Sequence, residues 1–257
     1  MLVLLSCAKT MSAVSKVKVP LTTSPRFQKE AAEIALQMSQ FSVDELERLL
    51  RVNAKIAVEN YKRYQAFHAE ATPELPALLA YTGIVFKRLN PKDFSAEDFG
   101  YAQEHLRLTS FCYGLLRPLD VIRAYRLEGD VVLPELGNQT FFSYWRSRLT
   151  DTFIEDIRSA GGILCNLASD EMKSLFDWKR VESEVRVVTP EFHVWKNGKL
   201  ATIVVYTKMS RGEMTRFILK NKIGNPEELK GFSWEGFEFD ESLSDEKKLV
   251  FINGMGE

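Results

Sequence analysis

The chain has 257 residues, 45% of them apolar and 27% charged, enough to bury a sizeable core in one large domain or two small ones. Its net charge is −1 and its pI about 6.4, which excludes a general coat of affinity for polyanions; any such binding must come from a local patch. Three widely spaced cysteines (Cys7, Cys112, Cys165) without a Cys-x-x-Cys read as reduced thiols of a cytoplasmic protein, and no apolar run nears the roughly 18 residues that span a bilayer.

Leu2 to Ser6 predicts a short buried strand. Leu4-Leu5-Ser6-Cys7 has the look of a lipoprotein cleavage box, but no basic segment and too short an apolar stretch precede it. A polar loop follows from Lys9 to Ser24, with Pro20 and Pro25 as breakers. Helical spacing of Phe27, Ala31, Ile34, Ala35 and Met38 predicts a helix over Arg26 to Met38. Ser42 with Glu45 is a capping box that opens a second helix running towards His68. Pro73 and Pro76 break the chain before the apolar run Ala77 to Phe86. Ser95 with Asp98 caps the next helix, which carries Phe99, Ala102 and Leu106 on its inner face and leads into a tight corner at Ser110 to Gly114. Phe141 to Ala160 reads as a helix ended by Gly161-Gly162.

From there the pattern turns to strands. Ile163 to Leu167 is a buried-strand run, and Val185 to Trp195 with Leu200 to Thr207 reads as a hairpin around Lys196-Asn197-Gly198-Lys199. Ser210 with Glu213 suggests another capping box, opening a helix from Arg211 to Asn221. Phe232 to Phe239 and Leu249 to Ile252 predict late strands. The expectation is an α+β or mixed α/β fold: one compact domain over residues 1–257, helix-rich first and strand-rich second, with a central mixed sheet, helices around it and a helix-hairpin-helix-like element.

Four clusters carry possible chemistry. Arg107, Arg117, Arg123 and Arg126 face only Glu104, Asp120 and Glu128 across the segment around the Ser110–Gly114 corner. Two helices joined there would aim backbone N–H groups at phosphates, with Arg107 and Arg117 neutralising charge and Tyr113 stacking on a base. The alternative is that Phe111, Leu115 and Leu116 are core and the arginines pair with Asp120 and Glu128. Lys208, Arg211 and Arg216 form a second cluster, with Lys208 and Arg211 at a predicted helix N-terminus suited to an anion and Gly212 keeping the backbone open. Asn166, Ser169, Asp170 and Glu171 follow a buried strand, the usual position of ligand-binding groups in α/β proteins, although Ser169 also serves as a plain N-cap. Ser6 to Thr10 lies beyond another strand, where Lys9 can reach a shared cleft and Cys7 reads as a structural thiol. The histidines (His68, His105, His193) are isolated, so the sequence calls for no metal, and no cofactor cradle is present.

SCAKT near the start, QEHLRLTSFCYGLLRPLD, YRLE, NLASDE, the KNGK hairpin with YTKMSRGEMTRFILKN, and a late EGFEF resemble, in that order, the YaaA-type peroxide-stress protein family. The resemblance runs the full length. It implies protection against peroxide, with less oxidative DNA damage and less free iron, through non-specific DNA binding by a helix-hairpin-helix-like element. Carried over, that element puts DNA contacts on Arg107, Ser110, Tyr113, Gly114 and Arg117. Phe111 stands where the family has glycine, and Cys7 where it has proline. Lys9, Arg126, Asn166, Ser169, Glu171, Lys208, Arg211 and Arg216 match the family pattern and define an alternative, an anion cleft belonging to an uncharacterised enzyme or small-anion-binding protein with Glu171 as acid or base. The expected partners are DNA, bound in a salt-sensitive way, and a small anionic ligand; the expected state is a monomer away from membranes, with no cofactor.

Overall fold

The computed structural model describes residues 1–196 and 198–254; Asn197, at the expected hairpin turn, lies outside them. Among the described residues there are ten strands: β1 (Leu2–Leu5), β2 (Glu74–Pro76), β3 (Leu106–Ser110), β4 (Gly114–Leu116), β5 (Val121–Arg123), β6 (Ile163–Asn166), β7 (Arg186–Lys196), β8 (Lys199–Ala201), β9 (Phe237–Asp240) and β10 (Lys248–Asn253). Eight form one mixed sheet in the order β4-β3-β1-β6-β7-β10-β9, with β8 folded back on β7; β2 and β5 pair separately. The sheet centre is parallel. Val3 lies beside Leu106 on one side and Cys165 on the other. Every residue of β1 and β3 is buried, the pattern of strands covered on both faces.

Helices surround this sheet: α1 (Gln28–Met38), α2 (Val43–Leu50), α3 (Ala54–Ala66), α4 (Ala77–Ala80), α5 (Ile84–Leu89), α6 (Ala96–His105), α7 (Phe141–Ser159), α8 (Asp170–Lys173), α9 (Trp178–Glu184) and α10 (Val204–Asn221). The capping boxes at Ser42 and Ser95 are both formed, with Glu45 and Asp98 reaching back to the cap amides. The single helix expected from Ser42 to His68 is two. Arg51 adopts a left-handed conformation (φ 51°) that ends α2, and the Asn53 side chain caps α3. Among the described residues no helix is long and apolar enough to cross a membrane.

Two local expectations are corrected. The corner at Ser110–Gly114 does not join two helices: α6 stops at His105 and the chain continues as the antiparallel hairpin β3–β4, in which Ser110 pairs with Gly114. Register with β1 draws Leu106 to Ser110 into the sheet, overriding a local pattern that suits a helix. The second correction concerns the segment Leu200–Thr207. Its strand is only β8, and α10 begins at Val204 rather than after Ser210, despite the β-branched run that opens it. Ser210 is therefore a fully buried residue inside a helix, and Lys208 and Arg211 lie in its second turn and beyond.

Candidate anion-binding cleft

The carboxyl ends of β1 and β6 point the same way, and the sheet continues from β1 to β3 in one direction and to β6 in the other. Chain ends diverge at such a point and leave a crevice. Here the crevice is a cavity of about 320 Å³, with Ser6 to Thr10 after β1 and Leu167 to Met172 after β6 on its rim. The two loops are tied together: Ser6 Oγ lies 3.3 Å from Ser169 Oγ and accepts from the Ser169 amide at 2.9 Å. Ser169 is the N-cap of α8 but makes no side-chain cap bond, so its hydroxyl stays at the cavity.

α10 supplies the opposite wall through close backbone packing. A Cβ on Gly212 would come within 2.3 Å of the Val85 carbonyl oxygen, so glycine at this position is what lets α10 lie directly on α5. Gly212 thus serves helix packing and is buried, in place of the open backbone expected for it. The same approach brings Lys208 and Arg211, three residues apart on one helical face, to the cavity. Gly83 repeats the device at the start of α5, where a Cβ would meet Ala8 Cβ at 2.8 Å.

The charges divide into engaged and unengaged groups. Glu128 is buried and holds two cations, Lys9 at 2.6 Å and Arg126 at 3.2 Å. Arg126 is further fixed by its backbone carbonyl, which accepts from Tyr64 Oη at 2.6 Å, while its Nε is buried without a partner among the described residues. The side chains of Lys208 and Glu171 form no hydrogen bond or ion pair with described residues. The Arg211 guanidinium likewise forms none; its Nε is buried and unpartnered, burial lowers its pKa from the ordinary value, and the charge of Asp170 partly offsets that shift. Asn166, 1% exposed behind the rim, accepts from the Ala168 amide at 3.2 Å and leaves Nδ2 unpartnered.

The remaining lining is apolar: Leu5, Ile84, Val85, Phe111, Leu127 and Met172 among others. Tyr125 closes the floor, its hydroxyl 2.6 Å from Ser110 Oγ and 2.8 Å from Tyr81 Oη. Cys7 lines the same space, but burial pushes its thiol up to about 12, so it is no thiolate at neutral pH. Past Lys9 and Arg126 the cleft opens into a second chamber of about 440 Å³ that includes Arg51, Asp130 and Phe142, with Arg51 and Asp130 paired.

Lys9, Arg126, Ser169, Glu171, Lys208 and Arg211 therefore meet in one cavity, with Asn166 bordering it. Arg216 does not join them: it binds Asp93 through both terminal nitrogens, 2.9 and 2.5 Å, and donates to the Leu89 and Asn90 carbonyls at the C-terminal end of α5, outside the cavity. Of the residues expected at a DNA-binding corner, Arg107, Ser110, Tyr113 and Gly114 are buried in the fold and Arg117 is partly exposed but paired. Arg107, 7% exposed, donates to Asp156 at 2.6 Å and to the carbonyls of Gln103 and Leu106. Ser110 Oγ accepts from the Tyr113 amide, and Tyr113 Oη accepts from the Arg123 amide at 3.0 Å. Gly114, at φ 70°, lies under the Trp145 ring, and Arg117 binds Asp120 at 2.8 Å. Sequence reasoning missed the α5 wall, Ile84 and Val85. The signal was present in Gly83 and Gly212, whose role in bringing backbones together becomes visible only when their neighbours are known.

A family model described as peroxide stress protein YaaA matches residues 1–243. Relatives include a UPF0246 protein of Bacteroides thetaiotaomicron, 98% identical over 257 residues and covering all of both chains. A UPF0246 protein of Bacteroides fragilis is 78% identical over the same span, again covering all of both. One from the more distant Crocosphaera subtropica is 38% identical over 253 residues, 98% of this chain and 100% of that protein. With the match covering nearly the whole length, the chain belongs to the YaaA peroxide-stress protein family, the group also named UPF0246.

Proposed function

We propose that this protein contributes to peroxide defence by binding an anionic ligand in the cleft at the ends of β1 and β6. The observation that carries the reading is that Lys208 and Arg211 converge on one cavity with no carboxylate bonded to either among the described residues, opposite an equally unengaged Glu171. Scaffolding cations are normally paired, as Arg107, Arg117 and Arg216 are here. Arg211, partly buried on α10 with its Nε unpartnered, is a functional arrangement rather than a stabilising one, and Lys208 stands exposed beside it at the mouth of the cavity. Glu171 is placed to act as an acid or base on whatever the cations hold.

The test is calorimetric titration with inorganic phosphate. The wild type is expected to bind, and Lys208→Ala to lose at least tenfold in affinity while melting at the same temperature. Undetectable binding by the wild type at millimolar phosphate would end the reading.

Nucleic acid is the second reading, favoured by the continuation of the cleft into the second chamber, which gives an extended chain somewhere to run. On this reading the polyanion contacts Lys208, Arg211 and Lys9 instead of the buried hairpin. A gel shift across salt separates the two: DNA affinity that falls with salt and is lost in Lys208→Ala supports nucleic acid, and DNA affinity unchanged in that variant removes it. The described residues contain no group of three His, Cys, Asp or Glu side chains able to hold a metal.

A further inference from the structure

Building on the cleft reading, we infer that the ligand is a phosphate monoester carrying an apolar, ring-sized body. Three observations lead there. The first is charge. Lys9, Arg126, Lys208 and Arg211 stand against Glu128 and Glu171, which leaves a surplus of two positive charges. Asp170, which acts on Arg211 from the rim, is itself bonded to Lys173 at 2.7 Å and does not change that balance. A phosphate monoester carries nearly two negative charges at neutral pH, whereas a carboxylate or a phosphodiester carries one.

The second observation is the donor set. A monoester offers three terminal oxygens, and the cleft presents the ammonium of Lys208 and the guanidinium of Arg211 from α10 and the Ser169 hydroxyl from the opposite wall. The buried, unpartnered Nε atoms of Arg126 and Arg211 are further donors left unsatisfied within the protein. The third is the wall. Ile84, Val85, Phe111 and Met172 form an apolar surface beside the cations that inorganic phosphate alone would leave wet. A cavity of about 320 Å³ holds a phosphate together with one ring system.

Two sources share this chemistry, a free mononucleotide and the phosphorylated end of a nucleic-acid strand. They are told apart by whether the 440 Å³ chamber beyond Lys9 must be filled for tight binding.

Calorimetry with inorganic phosphate, phenyl phosphate, diphenyl phosphate, benzoate and adenosine monophosphate tests the inference. Phenyl phosphate and the mononucleotide are expected to bind at least tenfold more tightly than inorganic phosphate, and the diester and benzoate at least tenfold more weakly than phenyl phosphate. Affinity for phenyl phosphate should fall as pH drops through about 6, where the monoester gains its second proton. Ile84→Asn should lower the ratio of phenyl phosphate to inorganic phosphate affinity at least tenfold, and an unchanged ratio would remove the apolar wall from the inference. A 5′-phosphorylated oligonucleotide that binds at least tenfold more tightly than adenosine monophosphate, with its 5′-hydroxyl counterpart weak, assigns the strand end; equal or weaker binding assigns the free nucleotide. If phosphate binds through Lys208 but phenyl phosphate gains nothing over it, the inference fails and the cleft reading stands. If phosphate itself does not bind, both fall.

Discussion

Arg107 and Lys208 are both basic, and their surroundings give them opposite expected behaviour. Arg107 neutralises Asp156 inside the fold, with Arg26 as the only other cation bonded to that carboxylate among the described residues. Truncating it strands a largely buried charge, so Arg107→Ala should cost about 3 kcal/mol in urea denaturation, with phosphate affinity per folded molecule unchanged. Lys208 is exposed and bonds to nothing described, so Lys208→Ala should alter stability by less than about 0.5 kcal/mol. A residue-level reading of the sequence finds both cations but cannot rank them. Their difference lies in Asp156 and Glu171, which sit far along the chain from the basic residues they meet or leave alone. Glu128 was the more legible case, because in an extended segment a carboxylate two residues from Arg126 falls on the same side.

At the scale of elements, two of the three expected capping boxes were readable, the one at Ser210 falling inside α10, and sheet membership was not. Ser42 with Glu45 and Ser95 with Asp98 form capping boxes because every atom involved lies within one turn. The strand β3 was hidden because LRLTS is neutral by itself and becomes a strand through its register with β1. The start of α10 was hidden for the converse reason. Val204, Val205 and Tyr206 favour a strand locally, yet helix contacts with α5 prevail, and these three side chains stay exposed. The α5–α10 contact also sets the site. Gly212→Ala places a methyl against the Val85 carbonyl, which as backbone cannot step aside. A loss of roughly 1–3 kcal/mol in thermal or urea unfolding is expected. Because the helix must shift, phosphate affinity should fall as well, although residue 212 is not on the cavity wall. Stability and affinity both at wild-type level would show that the helices are not locked at this point.

For the whole molecule, the fold class was legible from the distribution of patterns, with helices concentrated early, strands at both ends and no repeat. The strand order was not, since nothing local tells β1 that its neighbours are β3 and β6. Acid behaviour also belongs to this scale, because it depends on carboxylates spread over several elements. Burial alone would raise the Asp98 carboxyl, but hydrogen bonds from Lys220, Lys222 and Ser95 outweigh that and hold it well below the usual range. Asp156 is likewise lowered, the bonds from Arg107 and Arg26 exceeding the effect of burial, and Arg216 lowers Asp93. An unfolded aspartate titrates near 3.8. Stabilisation from these groups is therefore complete above that pH and is lost as pH falls through their lower folded values. The melting temperature should hold from neutrality to about pH 5 and drop steeply below pH 4. Asp98→Asn should flatten that drop, its deficit relative to wild type shrinking as the solution is acidified.

The position of Leu2–Leu5 in the middle of the sheet has a kinetic consequence. Leu2–Leu5 find one pairing partner around Leu106 and the other only around Cys165. Such distant pairings make refolding slow, and the ligand cavity assembles only after both have formed and α10 has docked. Recovery of phosphate binding after dilution from denaturant should consequently trail the recovery of helical circular dichroism, reporting the closing step of the folding reaction rather than its onset.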